Sequence, residues 1–437
     1  MKVHLIGIGG IGVSALARYY LAQGAEVSGS DLAHSEITAD LAARGARIIL
    51  GPHSAFNIPR GTERVIYTAA TLKTNPELKE AKRRKIPMQT YAQAVGDLTR
   101  RFKTITISGS HGKSTTTAMA ALVLEDGWCD PTVIIGTKMN EYGDSNFRHG
   151  RGGHLVLEAD EWNRSFLHYS PHIAAITNID AEHLDTYKTV GAVEKTFIAY
   201  LGKVPAHGAI IANADDERTT RVAKKFGARV AWYSTDSRDA ATVKKVLKVS
   251  GKHNVSNALA AQAIGRALGI AESAILHALS RFRGTWRRFE FKGMLNGAYI
   301  FNDYGHHPRE IAATLSAARE CFPLRRVWCV FQPHQYQRLK YLWKDFLGAF
   351  DLADRIVLLP VYDVAGRETK AAKNAVNSEK LARALAVAGK RVSYAPSFAD
   401  AATLLRVEVR KGDAILIMGA GDIYDLTTDL TKNMVWP

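Results

Sequence analysis

The sequence predicts an α/β protein: parallel sheets covered by helices, divided into about three domains. Three observations lead there. At 437 residues the chain exceeds what one hydrophobic core usually supports. Strand-like apolar runs alternate with helical periodicity along its length. Two strand–glycine–helix units occur, one opening at Gly7 and the other at Gly109.

The first unit begins with an apolar strand, Val3–Ile6, followed at once by Gly7, Gly9, Gly10 and Gly12 and then by the helical pattern Ser14–Gln23. Glycines let a backbone approach a diphosphate, and a helix N-terminus offers free N–H groups to its charge. A second strand, Ala25–Gly29, leads to Asp31, about nineteen positions after the last glycine, where an acidic residue can reach a ribose hydroxyl. Alone, this fingerprint points to an NAD-dependent oxidoreductase. The second unit overturns that reading, because two phosphate loops in one chain call for two nucleotides.

That second unit runs from a strand, Thr104–Ile107, into Ser108, Gly109, Ser110, His111, Gly112, Lys113, Ser114 and Thr115. The usual first glycine of a phosphate loop is replaced by Ile107, but the working end is present: Gly112 for close approach, Lys113 for the β and γ phosphates, Ser114 for Mg²⁺. Further on, the strand His154–Leu157 ends in Glu158, with Asp160 and Glu161 behind it. A carboxylate at such a strand tip can anchor Mg²⁺ or hold a water. The strand Ile173–Asn178 is followed by Asp180, Glu182, His183 and Asp185, which read either as metal and phosphate chemistry or as a helix N-terminal turn with favourable charges.

The third region follows a helix over Asn254–Leu268. It contains a basic turn, Gly284–Phe289, and a strand, Tyr299–Phe301, leading into Asn302, Asp303, Tyr304, Gly305, His306, His307 and Pro308. Strands at Val327–Phe331, Arg355–Pro360 and Ala414–Met418 alternate with helices at Gln337–Leu352 and Ser378–Val387. The spacing of His306, His307 and His334 matches no common zinc pattern. Histidines and arginines at strand ends suit anionic substrate groups better.

Composition narrows the function. An apolar share of 46% is ordinary for a globular chain. No run of about eighteen uncharged apolar residues occurs and no signal-peptide layout opens the chain, so the expectation is a cytoplasmic protein, complete from Met1, with no membrane partner. Cys129, Cys321 and Cys329 form no CxxC pair and no even-numbered framework, as expected of reduced thiols. A net charge of +16 suits nucleic acid, an acidic surface or polyanionic small molecules. The densest basic runs, Lys79–Lys85 and Arg281–Arg288, carry no nucleic-acid-binding signature, and the first reads as a solvated helix face. Phosphorylated small molecules are therefore favoured.

These residues together resemble the Mur ligase family. The matching segments are IGIGGIGVSALA (Ile6–Ala17), NPEL (Asn75–Leu78), GSHGKSTTT (Gly109–Thr117), EADE (Glu158–Glu161), TNIDAEHLDTY (Thr177–Tyr187), HNVSNALAA (His253–Ala261), RRFE (Arg287–Glu290), NDYGHHP (Asn302–Pro308), FQPH (Phe331–His334) and MGAGDI (Met418–Ile423). The opening, YGHHP and FQPH segments favour the branch that adds alanine. The resemblance implies a Rossmann-like UDP-substrate domain at 1–100, a central P-loop ATPase at 101–284, and a C-terminal Rossmann-like domain at 285–437 that binds the amino acid and closes the site.

Carried onto this sequence, the family pattern places Gly7, Gly9, Gly10, Gly12, Asp31 and His334 at the UDP-linked substrate. Gly109, Ser110, His111, Gly112, Lys113, Ser114, Thr115, Asn254, Asn257, Arg288 and Asp303 fall at ATP. Ser114, Glu158 and His183 fall at two Mg²⁺ ions. Lys113, His183, His306 and Arg338 fall at the chemistry. The implied substrates are ATP, UDP-N-acetylmuramate and L-alanine, joined through an acyl phosphate, in a monomer or homodimer that binds no nucleic acid. Two departures stand near the expected pocket: Trp162, Asn163 and Arg164 after EADE, and Gln335 after FQPH. Trp162 keeps open a recycling ligase that attaches a tripeptide to the same nucleotide sugar. The position where later family members carry a modified lysine is Ile198 here.

Overall fold

The computed structural model describes residues 1–182, 184–363 and 370–432. It forms two compact units, residues 1–248 with 255–285, and residues 249–254 with 286–437.

The first unit holds two sheets. Strands β1 (Lys2–Ile6), β2 (Glu26–Asp31), β3 (Arg47–Leu50), β4 (Arg64–Tyr67) and β5 (Met88–Thr90) are all parallel, in the order β3-β2-β1-β4-β5. Val3, Leu5 and Ile6 are all buried, as a parallel strand covered on both faces requires. The strand order reverses beside β1, and the crevice at such a switch point, outside the strand C-termini, is where open α/β sheets take ligands. The helix Ile11–Ala22 starts there.

The second sheet contains β6 (Lys103–Ser108), β7 (Thr132–Met139), β8 (Ser145–Arg148), β9 (His154–Glu158), β10 (Ile173–Ile176), β11 (Ala209–Asn213) and β12 (Val230–Tyr233). Their order is β12-β11-β10-β6-β9-β7-β8, parallel except for the β7–β8 pair. This pair covers the helix Ile11–Ala22, which explains why Arg18 on that helix is buried. Its guanidinium pairs with Asp40 at 2.6 Å and donates to Asn146 Oδ1 on β8. Asn146 Nδ2 in turn donates to Ser14 Oγ at 2.9 Å.

In the second unit β13 (Glu290–Leu295), β14 (Ala298–Asp303), β15 (Val327–Phe331), β16 (Arg355–Leu358), β17 (Val392–Tyr394) and β18 (Ala414–Met418) stand in the order β13-β14-β18-β15-β16-β17, with β13 antiparallel to β14. The single helix expected over Gln337–Leu352 is two, Tyr336–Tyr341 and Trp343–Ala349. Leu342 leaves helical backbone at φ −103°, and the break lets both pieces bury an apolar face, Leu339 on one and Phe346 on the other. The strand expected to reach Asn178 ends at Ile176, because Thr177 and Asn178 turn to bond the neighbouring loop. Cys329 is buried, Cys321 is exposed, and all three thiols are free. Among the described residues no helix is long and apolar enough to cross a membrane.

The NPEL segment has a structural role in the first sheet. Glu77 is fully buried under β1 and β2, accepting from His4 Nε2 at 2.8 Å, Ser30 Oγ at 2.8 Å, His53 Nδ1 at 2.7 Å and Asn57 Nδ2 at 3.0 Å. Burial alone would raise its pKa, but these donors bring it down to about 2. A carboxyl depressed on folding stabilises above its unfolded pKa and loses that contribution as pH falls through the folded one. Glu77→Gln should therefore cost on the order of 3 kcal/mol at neutral pH. The gap between variant and parent urea midpoints should close between pH 4.5 and 2.

Candidate active site

The phosphate loop lies between β6 and the helix Lys113–Asp126. Gly112 caps that helix in the left-handed region, φ +83°, and a Cβ there would collide with Asn257 Oδ1. Asn257 also accepts from Thr116 Oγ1 at 3.2 Å, so the helix Lys252–Ala267 braces the loop from beneath. The loop's other wall is the turn after β10. Asn178 Oδ1 accepts from the His111 N–H at 2.9 Å, its Nδ2 donates to the His111 carbonyl at 3.0 Å, and the Asp180 N–H donates to Ser110 Oγ at 2.8 Å. Ser114 and Thr115, both buried, stand in the first turn of the helix, whose unsatisfied N–H groups and dipole attract an anion.

Lys113 Nζ donates to the Gly109 carbonyl at 2.6 Å and pairs with Glu161 at 3.1 Å. Burial opposes its charge, but the carboxylates of Glu161, Asp160 and Glu182 outweigh burial and hold the ammonium above the ordinary lysine value. Glu161 is itself buried and fixed from behind by Tyr187, whose hydroxyl donates to its carbonyl. Glu158 ends the strand next to the loop, in register with Ile107, and accepts from the Gly136 N–H at 2.6 Å. Ser114 and Glu158 offer the hard oxygen donors that suit Mg²⁺. His183 lies outside the described residues.

At the first glycine loop, Asp31 accepts from the Gly9 N–H at 2.8 Å and the Leu32 N–H at 2.8 Å, so it also shapes the turn that was expected to carry the diphosphate. Gly12 faces Tyr91, whose Cζ stands 2.9 Å from where a Cβ would be. Burial, then the carboxylates of Glu158 and Asp160, push the Tyr91 phenol up. Tyr91 therefore lies between the first glycine helix and the acidic strand tip of the second sheet. Sequence gave no signal for it. For Glu161 the signal was its place in EADE, but its pairing with Lys113 was not legible.

The remaining predicted residues belong to the second unit. Asp303, at the tip of β14, is buried and accepts from the Phe289 N–H at 2.8 Å and the Gly305 N–H at 2.6 Å. Burial raises its pKa against the pull of Arg288 and these two N–H groups. Arg288 approaches Glu310 at 3.7 Å and lies over the Tyr304 ring, while Asn254 Nδ2 donates to the Ser250 carbonyl at 2.7 Å. His306 Nδ1 bonds the Tyr304 carbonyl at 3.1 Å, and Arg338 Nη1 bonds His334 Nδ1 at 3.1 Å. The two imidazoles are neighbours, 5.7 Å between centroids, and His334 stacks on Tyr362. His307, read above among the strand-end histidines suited to anionic groups, caps the helix Pro308–Cys321.

Fold and site together define a nucleotide-binding α/β protein whose glycine loop carries a buried lysine at a helix N-terminus with carboxylates beside it, an arrangement suited to phosphoryl transfer. Residues 2–103 match the Mur ligase family, catalytic domain; residues 107–265 match the Mur ligase middle domain; and residues 287–421 match the Mur ligase, glutamate ligase domain. The chain belongs to the Mur ligase family. It is 38% identical to the UDP-N-acetylmuramate–L-alanine ligase of Clostridium acetobutylicum, over 97% of this chain and 96% of that protein. The crystal structure of the UDP-N-acetylmuramate-alanine ligase of Thermotoga maritima is 29% identical and superposes with a TM-score of 0.81, covering 99% of this chain and 98% of that one. A murein peptide ligase from Psychrobacter arcticus shares the fold, with a TM-score of 0.71 at 23% identity over the whole of both chains.

Gly112→Ala combines a left-handed backbone with a collision against Asn257. It should lower nucleotide affinity about a hundredfold or more by calorimetric titration, roughly 3 kcal/mol of lost binding, while circular dichroism stays that of the parent.

Proposed function

We propose that this chain joins the carboxylate of UDP-N-acetylmuramate to L-alanine at the expense of ATP, a step of peptidoglycan precursor synthesis. The observation that carries this reading is similarity along almost the entire chain to curated ligases of that name, at 38% identity in one case and 40% in another. The phosphate loop with Lys113 supports it independently. Residues 1–100 would serve the UDP-linked substrate, 101–284 ATP, and 285–437 the amino acid.

A carboxylate is a poor acyl donor, so the γ-phosphoryl group of ATP is first transferred to it. The developing charge is met by Lys113 and by the N–H groups at the start of the helix Lys113–Asp126. The phosphate oxygens compete with Glu161 for the Lys113 ammonium, so the loop is already shaped for charge before nucleotide arrives. Ser114 and Glu158 would hold Mg²⁺, which neutralises phosphate charge when bound. The alanine nitrogen then attacks the carbonyl carbon of the acyl phosphate; the C–N bond forms, the C–O bond to phosphate breaks, and the nitrogen loses a proton. Much of the rate comes from holding the reacting groups together.

ADP release should require UDP-N-acetylmuramate, L-alanine and Mg²⁺ together, measured by a coupled assay. ADP formed at the same rate without either acceptor would sink the ligase reading. Offering the tripeptide in competition with alanine tests the recycling alternative. Lys113→Ala should lower kcat by about 10³-fold.

A further inference from the structure

Resting on the ligase reading, we propose that Tyr91 is a further substrate-binding residue: its hydroxyl donates a hydrogen bond to the diphosphate of the nucleotide-linked substrate at the first glycine loop.

The placement of the ring is well determined. Tyr91 opens the helix Tyr91–Thr99, and Thr90 before it forms a capping box: its Oγ1 accepts from the Gln93 N–H at 3.3 Å, and its own N–H donates to Gln93 Oε1 at 2.9 Å. Further along, Gly96 packs so closely on the segment after EADE that a Cβ there would stand 2.6 Å from the His168 carbonyl oxygen. Thr99 Oγ1 accepts from the Ser170 N–H at 3.0 Å. The helix is anchored along its length, so the ring at its start is held in place.

That ring lies against the end of the other helix. A Cβ on Gly12 would stand 2.9 Å from Tyr91 Cζ and 3.1 Å from Tyr91 Oη, so glycine is what admits the phenol. Cα–Cβ bonds on a helix tilt toward its N-terminus, which puts the hydroxyl beside the open end of the helix Ile11–Ala22 rather than along its flank. This end has no side-chain cap. The first intrahelical bond runs from the Ser14 N–H to the Gly10 carbonyl, so the N–H groups of Ile11, Gly12 and Val13 find no acceptor in their own helix. Tyr91 adds an O–H to these three N–H groups.

The hydroxyl is suited to an incoming anion. Among the described residues Tyr91 Oη makes no hydrogen bond, although tyrosine hydroxyls in largely buried places usually find a partner. Glu158 and Asp160 are near enough, with burial, to push the phenol up and keep its proton on, yet neither carboxylate accepts from it. A lysine or arginine here would be drawn to those two carboxylates. A neutral O–H is free to answer an acceptor that arrives with the substrate, and a phosphate oxygen makes the stronger, charge-assisted kind of bond.

Tyr91→Phe keeps the ring on Gly12 and removes only the donor. Binding to the full-length protein is measured calorimetrically for UDP, UDP-N-acetylmuramate and ATP, and by ligand-detected NMR for uridine, which has the base and ribose but no phosphate. The variant should bind UDP and UDP-N-acetylmuramate about ten- to a hundredfold more weakly than the parent. Uridine and ATP should bind as before, within about twofold. Its urea midpoint should not fall, because the hydroxyl has no protein partner to lose.

Equal UDP affinity in parent and variant would refute the assignment while leaving the ligase reading intact. So would a parallel loss of uridine or ATP binding, or a lowered urea midpoint, each of which marks a structural role. Weaker binding of UDP-N-acetylmuramate with UDP unaffected would move the contact to another part of the substrate and overturn the diphosphate assignment. A parent protein that binds neither UDP nor UDP-N-acetylmuramate would bring down the ligase reading, and Tyr91's role with it.

Discussion

A lysine ammonium taken out of water costs several kcal/mol unless a carboxylate meets it. In this chain the lysine of the phosphate loop is met by Glu161 at 3.1 Å, with Asp160 and Glu182 adding to the field. Much of the first unit follows from satisfying that requirement. Glu161 must lie just beyond the tip of β9, which requires β9 to stand directly beside β6 and run parallel to it. The turn after β10 has to close the other side of the loop, and Thr177, Asn178 and Asp180 do so through the Ser110 and His111 backbone and side chains. The strand order β10-β6-β9 brings all three tips to one edge. A charged centre prepared in this way would need little reorganisation were a phosphate to replace the carboxylate as the partner of Lys113.

The same unit joins its two sheets through polar contacts, those of Asn146 buried and that of Glu36 at the surface. Asn146 on β8 bonds both Arg18 and Ser14 of the glycine-loop helix, and Lys138 on β7 pairs with Glu36 at 2.9 Å. The β7–β8 pair also supplies the Gly136 N–H to Glu158. One hairpin therefore touches the helix that begins at the first phosphate loop and the carboxylate that stands beside the second. Tyr91, packed on Gly12 and facing Glu158 and Asp160, links the same two places by a separate route. Buried hydrogen-bonded groups of this kind resist small displacements, since leaving one partner unsatisfied costs about 1–3 kcal/mol.

Local chemistry was legible in the sequence wherever a single segment carries it. The strand–glycine–helix units and the strands Val327–Phe331 and Ala414–Met418 all rest on spacing within a few residues, and the structure forms these elements where they were read. Long-range pairings were not legible. The bonds His4–Glu77 and Arg18–Asn146 span 73 and 128 positions, and no periodicity registers a partner that far away. Asp31 shows the middle ground: its position at the end of β2 was legible, but its two bonds to Gly9 and Leu32 depend on how the turn closes. The break at Leu342 was missed because a continuous helical pattern does not reveal where two short helices must bend to bury both Leu339 and Phe346.

Three of the four departures from the family pattern, all but Trp162, have a shared backbone character. Asn163 and Arg164 both lie in the left-handed region, φ +52° and +57°, and Gln335 stands at φ +70°. Asparagine tolerates that region, but arginine and glutamine enter it at a cost of about 1–3 kcal/mol each, which surrounding contacts have to over-determine. At Gln335 the determinant is visible: its N–H is held by the Tyr362 carbonyl, and this bond seats His334 on the Tyr362 ring. At Asn163 and Arg164 it is the short turn in which the Arg164 N–H reaches the Glu161 carbonyl at 2.9 Å and the Phe166 N–H reaches the Asp160 carbonyl at 3.1 Å. The first strained segment thus fixes the backbone of the carboxylate that holds Lys113, and the second fixes the ring of His334. Substitution at these places therefore reaches Glu161 and His334 through the backbone, even where the new side chain itself touches neither.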